Sequence, residues 1–155
     1  MSEDPQPAPD RRPLAEGGSG SEASPPRALI ADNDAHVAVI LAAFLGDEGI
    51  QVESVEDGEA ALDRLRAGGL DLLVCDLCMP KMAGEEVVRA MDQEGLTVPT
   101  FVISGFLDEA RRAEFEQLPF VHAVLRKPFD LRGFARQAAE CIASSERSQK
   151  GPGSA

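Results

Sequence analysis

The chain has 155 residues, 43% apolar and 27% charged, which is enough for one domain of ordinary size with its own core. Its formal net charge of −12 excludes the basic footprint expected of a protein that grips phosphate backbones, and it disfavours an anionic membrane surface. No apolar stretch approaches the roughly 20 residues of a membrane span, and no signal-peptide pattern opens the chain. With three cysteines and no export signal, a reducing cytoplasm is the expected location.

Residues 1–26 are rich in Pro, Ser, Gly and acids and poor in large apolar side chains. They cannot bury enough surface to offset chain entropy, so a disordered N-terminal tail is expected. The composition of residues 144–155 predicts a second, C-terminal disordered tail. The folded unit is expected over residues 27–143.

Within it, strand and helix patterns alternate five times. Ala28-Leu29-Ile30-Ala31 is a short apolar strand ending at Asp32. Val37, Ile40, Leu41, Phe44 and Leu45 recur at helical spacing and predict one buried face, with Gly49 ending the helix. Residues 50–55 alternate as a half-buried strand does. Asp57 can cap a short second helix bearing Ala61, Leu62 and Leu65, which Gly68-Gly69 stops. Residues 70–76 form a third, strongly apolar strand that delivers Asp76 to its C-terminal end. Gly84 opens a helix with Val87, Val88 and Met91 inward. Pro99 precedes the fourth strand, residues 100–104, and a weaker helix follows over residues 107–117. Residues 121–125 make the fifth strand and lead into Arg126-Lys127-Pro128. Asp130 is placed to cap the last helix, with Leu131, Phe134, Ala138 and Ile142 inward.

The pattern predicts an α/β fold. It is a flavodoxin-like (βα)5 three-layer sandwich around a five-stranded parallel sheet of order 2-1-3-4-5. The topological switch point then falls between strands 1 and 3, whose ends carry Asp32 and Asp76. Four strands deliver polar groups to the same edge: Asp32 with Asn33 and Asp34, then Asp76, Ser104 and Lys127. Clustered carboxylates repel unless a cation sits among them, and oxygen-only donors suit Mg2+. With Lys127 as a second positive charge and Ser104 as a hydroxyl donor, the set suits a carboxylate that attacks phosphorus.

Taken together, residues 28–34, Asp76-Leu77-Cys78-Met79-Pro80 with Gly84, Val102-Ile103-Ser104-Gly105 and Lys127-Pro128-Phe129 resemble the receiver domain of two-component response regulators. The resemblance spans about residues 27–143 and implies a phosphorelay protein rather than an enzyme. It implies that Asp76 accepts phosphate from a histidine kinase or phosphotransfer protein. Ser104 and Lys127 would contact the phosphoryl group. Asp32, Asn33, Asp76 and the Cys78 backbone carbonyl would hold magnesium, and Pro128 would follow a cis bond. It also implies that a downstream protein docks on the face made by the fourth helix, fifth strand and fifth helix, with neither nucleic acid nor membrane bound directly. No effector pattern follows Ile142, so a stand-alone receiver is expected.

Three departures from the family pattern qualify these expectations. Asn33 stands where the family has a second acid, so weaker metal binding is expected. Val124 replaces an aromatic residue on strand 5 and the chain has no Tyr, so switch coupling would be absent or moved to Phe106. Cys78 and Phe106 are poor at orienting water, which predicts slow self-dephosphorylation. The alternative is a pseudo-receiver, an interaction module working without phosphate. A haloacid-dehalogenase-like phosphatase would want a second Asp at position 78 and a cap domain, and this chain offers neither. Cys75 and Cys78 form a C-x-x-C, but Cys75 closes a buried strand instead of opening a helix, so redox chemistry is not expected.

Overall fold

The computed structural model describes residues 24–106 and 108–154, with side-chain surroundings through residue 145. Residues 1–23 of the expected N-terminal tail, and Leu107, lie outside the described residues.

The apolar runs pair as parallel strands. These are β1 (Arg27–Ala31), β2 (Gln51–Val55), β3 (Leu72–Asp76), β4 (Thr100–Ser104) and β5 (Val121–Arg126). The sheet order is β2-β1-β3-β4-β5, as the sequence predicts. Every residue of β3 and β4 is buried, which fits strands covered on both faces, whereas β2 lies at an edge and is half-exposed.

The connecting helices are α1 (Ala35–Asp47), α2 (Gly58–Ala67), α3 (Gly84–Glu94), α4 (Glu109–Glu116) and α5 (Leu131–Ser154). One core layer packs α1 and α5 on the sheet through Leu41, Leu45, Phe134 and Ala138 against Ile30, Val74 and Phe101. The other packs α2, α3 and α4 through Leu62, Leu65, Val88, Met91 and Phe115 against Leu73, Cys75 and Val102. Phe101 and Phe134 meet edge to face at 5.3 Å. Burying each such side chain contributes about 1.5–3 kcal/mol.

One expectation needs correction. The buried stripe of α1 is Ala38, Leu41 and Leu45, while Ile40 is 46% exposed. Successive residues turn by about 100°, so seating Ala38 on the sheet rotates Ile40 outward. Val37 and Phe44 become flanks, with Arg132 lying over the Phe44 ring at 5.8 Å. On the same face of the sheet, α5 runs past residue 143 to Ser154.

Candidate functional site

Strand register brings the polar residues together. Ala31 pairs with Cys75, so Asp32 and Asp76 emerge side by side at the ends of β1 and β3. Asp76 pairs with Ile103, and Ser104 with Arg126, so Ser104 and Lys127 reach the same edge. The Lys127 amide donates to the Ser104 carbonyl at 2.8 Å, and the Lys127–Pro128 bond is cis.

At the centre, Lys127 Nζ lies 3.1 Å from Asp76 Oδ2 and 3.5 Å from Asp32 Oδ2. The other oxygens are held by backbone. The Cys78 amide donates to Asp76 Oδ1 at 3.0 Å, and the Asp34 amide to Asp32 Oδ1 at 2.9 Å. Asp32 is wholly buried and Asp76 is 3% exposed, so any reagent must come to the sheet edge to reach them.

Burial raises the Asp32 carboxyl above its ordinary range, the Asp76 charge raises it further, and the Asp34 amide and Lys127 pull it back down. Burial alone would lower the Lys127 ammonium, but the hydrogen bond and charge of Asp76, with the charge of Asp32, leave it raised. Lys127 and the two carboxylates therefore favour one another's charged forms against the effect of burial. Asp32 Oδ2 is buried without a hydrogen-bond donor among the described residues, and Lys127 lies at ion-pair distance from it. An orphaned carboxylate oxygen beside a second carboxylate fits a hard cation. Among the described residues, no group of three or more His, Cys, Asp or Glu forms a metal cluster. Further donors would therefore be neutral oxygens, which suits the Asn33 amide and the Cys78 carbonyl. Asn33 is exposed and lines a hollow shared with Cys78, Met79 and Pro80.

Two residues have different partners from those the sequence suggests. Asp34 turns away and caps α1, its Oδ1 accepting from the His36 and Val37 amides. The Ser104 hydroxyl donates to the Phe106 carbonyl at 2.8 Å and accepts from the Phe106 amide at 3.1 Å. Phe106 itself is 84% exposed.

Sequence reasoning passed over Gly84 as a site residue. A Cβ there would overlap the Asp76 carbonyl oxygen and stand 2.8 Å from Leu77 Cα. A glycine opening a helix just after the Asp76 loop was the available signal. Cys75, by contrast, is core as expected, its thiol pushed up to about 12 by burial and then by the charges of Asp76 and Asp32.

Comparison with known proteins agrees with this geometry. Residues 28–138 match the model of the response regulator receiver domain. The chain is 32% identical over 103 residues to response regulator RR06 of Streptococcus pneumoniae serotype 2, covering 66% of this chain and 46% of that one. It is 32% identical over 120 residues to protein-glutamate methylesterase/protein-glutamine glutaminase 1 of Anaeromyxobacter dehalogenans, covering 76% and 34%. Among solved structures, a CheY-like response regulator receiver domain protein from Methanospirillum hungatei JF-1 superposes with a TM-score of 0.73 at 21% identity, covering 81% of this chain and 99% of that one. The Francisella response regulator 1452 receiver domain gives a TM-score of 0.72 at 21% identity, covering 77% and 98%. These two likenesses bear on the fold alone. The chain spans about half or less of the length of the curated relatives it matches. With the family model covering most of the folded unit and the buried Asp76–Lys127–Asp32 cluster at its sheet edge, the chain belongs to the response regulator receiver domain family.

Proposed function

We propose that this receiver accepts a phosphoryl group on Asp76 from the phosphohistidine of a histidine kinase or phosphotransfer protein and signals through protein contacts. The observation that carries this is the near-buried Asp76 carboxylate, fixed by the Cys78 amide on one oxygen and Lys127 on the other. In the transfer, an Asp76 oxygen bonds to phosphorus as the phosphorus–nitrogen bond breaks. The electron pair stays on the imidazole nitrogen. Lys127 is placed to neutralise charge on the phosphoryl oxygens. Asp32, Asn33, Asp76 and the Cys78 carbonyl are the residues that would hold Mg2+, which supplies a second positive charge when bound. Ser104 is the hydroxyl nearest to hand in sequence, and it would have to leave Phe106 to reach the phosphoryl group. Output would pass through a partner docking on the α4–β5–α5 face, around residues 106–120 and 131–139.

The test is intact mass with acetyl phosphate and Mg2+, alongside amide NMR with beryllofluoride, on wild type and Asp76→Asn. A phosphoryl adduct, with shifts spreading from Ser104 to α5, both lost in the variant, is the expected result. Absence of both at saturating Mg2+ would favour the pseudo-receiver, the reading to which Asn33 and the Ser104–Phe106 pairing lend support.

A further inference from the structure

We infer that the N-terminus of α2 is an outer clamp on the loop between β3 and α3, and that Asp57 and Gly58 are positioning residues for the Asp76 site. The consequence for phosphoryl chemistry rests on the function proposed above; the clamp itself does not.

The loop carries Cys78, whose amide holds Asp76 Oδ1. Its two ends are tied to the sheet and to α3: the Leu77 amide donates to the Ile103 carbonyl at 3.0 Å, and the Gly84 amide to the Leu77 carbonyl at 3.1 Å. Its middle is a tight turn in which the Met82 amide donates to the Pro80 carbonyl at 2.6 Å. Lys81, within that turn, sits at φ 66°, in the left-handed region. A side chain with a Cβ seldom stays there unless its surroundings hold it.

The start of α2 packs against this turn. Gly58, the first residue of that helix, lies against Met82 so closely that a Cβ would overlap the Met82 carbonyl oxygen. It would also stand 2.7 Å from both the Met82 carbonyl carbon and its Cβ. Glycine is a poor helix former, and Gly58 is not among the positive-φ glycines. Space for the loop backbone, not conformational freedom, accounts for it. Its neighbour Asp57 works on both partners at once. Asp57 Oδ1 accepts from the Ala60 amide at 2.8 Å and caps α2, while Oδ2 lies 3.6 Å from Lys81 Nζ. One carboxylate thus caps the start of α2 and pairs with Lys81 of the loop. The clamp acts on Asp76 only through the loop, by fixing where the Cys78 amide and carbonyl lie.

The experiment uses the full 155-residue chain. Three variants are compared with wild type: Gly58→Ala, which adds the colliding methyl; Lys81→Met, which removes the ion pair without touching α2; and Asp57→Asn, which keeps the cap oxygen and loses the charge. Hydrogen exchange is read at the Cys78 amide and across residues 77–83, and Mg2+ affinity is read by amide NMR. Gly58→Ala should speed Cys78 exchange and weaken Mg2+ by about tenfold, the scale typical of groups that orient ligands from outside. Lys81→Met and Asp57→Asn should each move both in the same direction by less, and a chain carrying both Asp57→Asn and Lys81→Met by no more than either alone. Exchange at the α3 and α5 amides should stay at wild-type rates. The clamp is overturned if Cys78 exchange is unchanged in folded Gly58→Ala, or rises only in step with global unfolding. Should Gly58→Ala not fold, Lys81→Met decides in the same terms. A wild type that binds no Mg2+ would sink the phosphoacceptor reading, while the exchange comparison would still decide the clamp.

Discussion

Asp32, Asp76 and Lys127 form a cluster in which two carboxylates share one ammonium. Its net charge is negative, and Asp32 Oδ2 lacks a hydrogen-bond donor among the described residues. Changing Asn33 to Asp would add a third acid at the exposed rim. Without metal the added repulsion should lower the melting temperature; with Mg2+ the extra charge should tighten binding. Melts of wild type and Asn33→Asp, with EDTA and with Mg2+, should therefore cross. A variant that is as stable as wild type in both conditions would show that position 33 does not face the cation. The three core members of the cluster were legible in the sequence because a strand end fixes the position of its last residue, and parallel register fixes its neighbours. What the sequence could not give is which way a short side chain turns. Asp34 faces α1 as its cap, and the Ser104 hydroxyl faces Phe106. Both depend on competition between nearby backbone donors, and spacing carries no record of that.

At the scale of elements, β2 is an edge strand only half covered, and side chains of its neighbours support it. Arg64 of α2 grips Glu53 of β2 with two hydrogen bonds, at 2.7 and 2.9 Å, and Arg27 of β1 lies 3.7 Å from the same carboxylate. The Arg64 hydrogen bond holds the Glu53 carboxyl below its ordinary 4.5, more than burial raises it. For an acid with a depressed folded value, the unfolded chain takes up its proton first. The pair therefore stabilises fully above 4.5, and its contribution fades as pH falls through the folded value. Glu53 is 39% exposed, so solvent screening limits the pair to about 1 kcal/mol or less. Urea unfolding of wild type and Glu53→Gln should differ by about that much at neutral pH and converge in acid. A constant gap would assign the loss to packing. Helices were legible to the extent that one apolar stripe marks one face. The stripe on α1 was misjudged because Ala38, a small residue with weak hydrophobic signal, is the one that approaches the sheet. The clamp at Gly58 was not legible, because it depends on a loop 24 positions away in sequence reaching the start of another helix.

The molecule as a whole carries 27 acidic against 15 basic side chains. Like charges in such excess repel across the surface, and compaction brings them closer than they are in the unfolded chain. Surface ion pairs such as Arg66–Glu94 and Arg112–Glu116 oppose this only weakly, because solvent screens them. Screening should therefore help more than it harms, and the melting temperature should rise as NaCl is added toward about 0.15 M, where the Debye length falls to about 8 Å. Mg2+ offers a second effect that screening alone does not produce. At equal ionic strength, MgCl2 should raise the melting temperature beyond NaCl, because a ligand bound only by the folded state adds RT ln(1 + [L]/Kd), about 1.4 kcal/mol at tenfold Kd. That excess should shrink in Asp76→Asn, which removes a carboxylate from the cluster and leaves the rest of the surface unchanged. If both salts act alike at matched ionic strength, the acidic surface accounts for the whole effect and the cluster takes up no metal in that range. If the excess is present and depends on Asp76, the carboxylate cluster at the sheet edge is what takes up the cation, and the repulsion between its acids is the reason it does so.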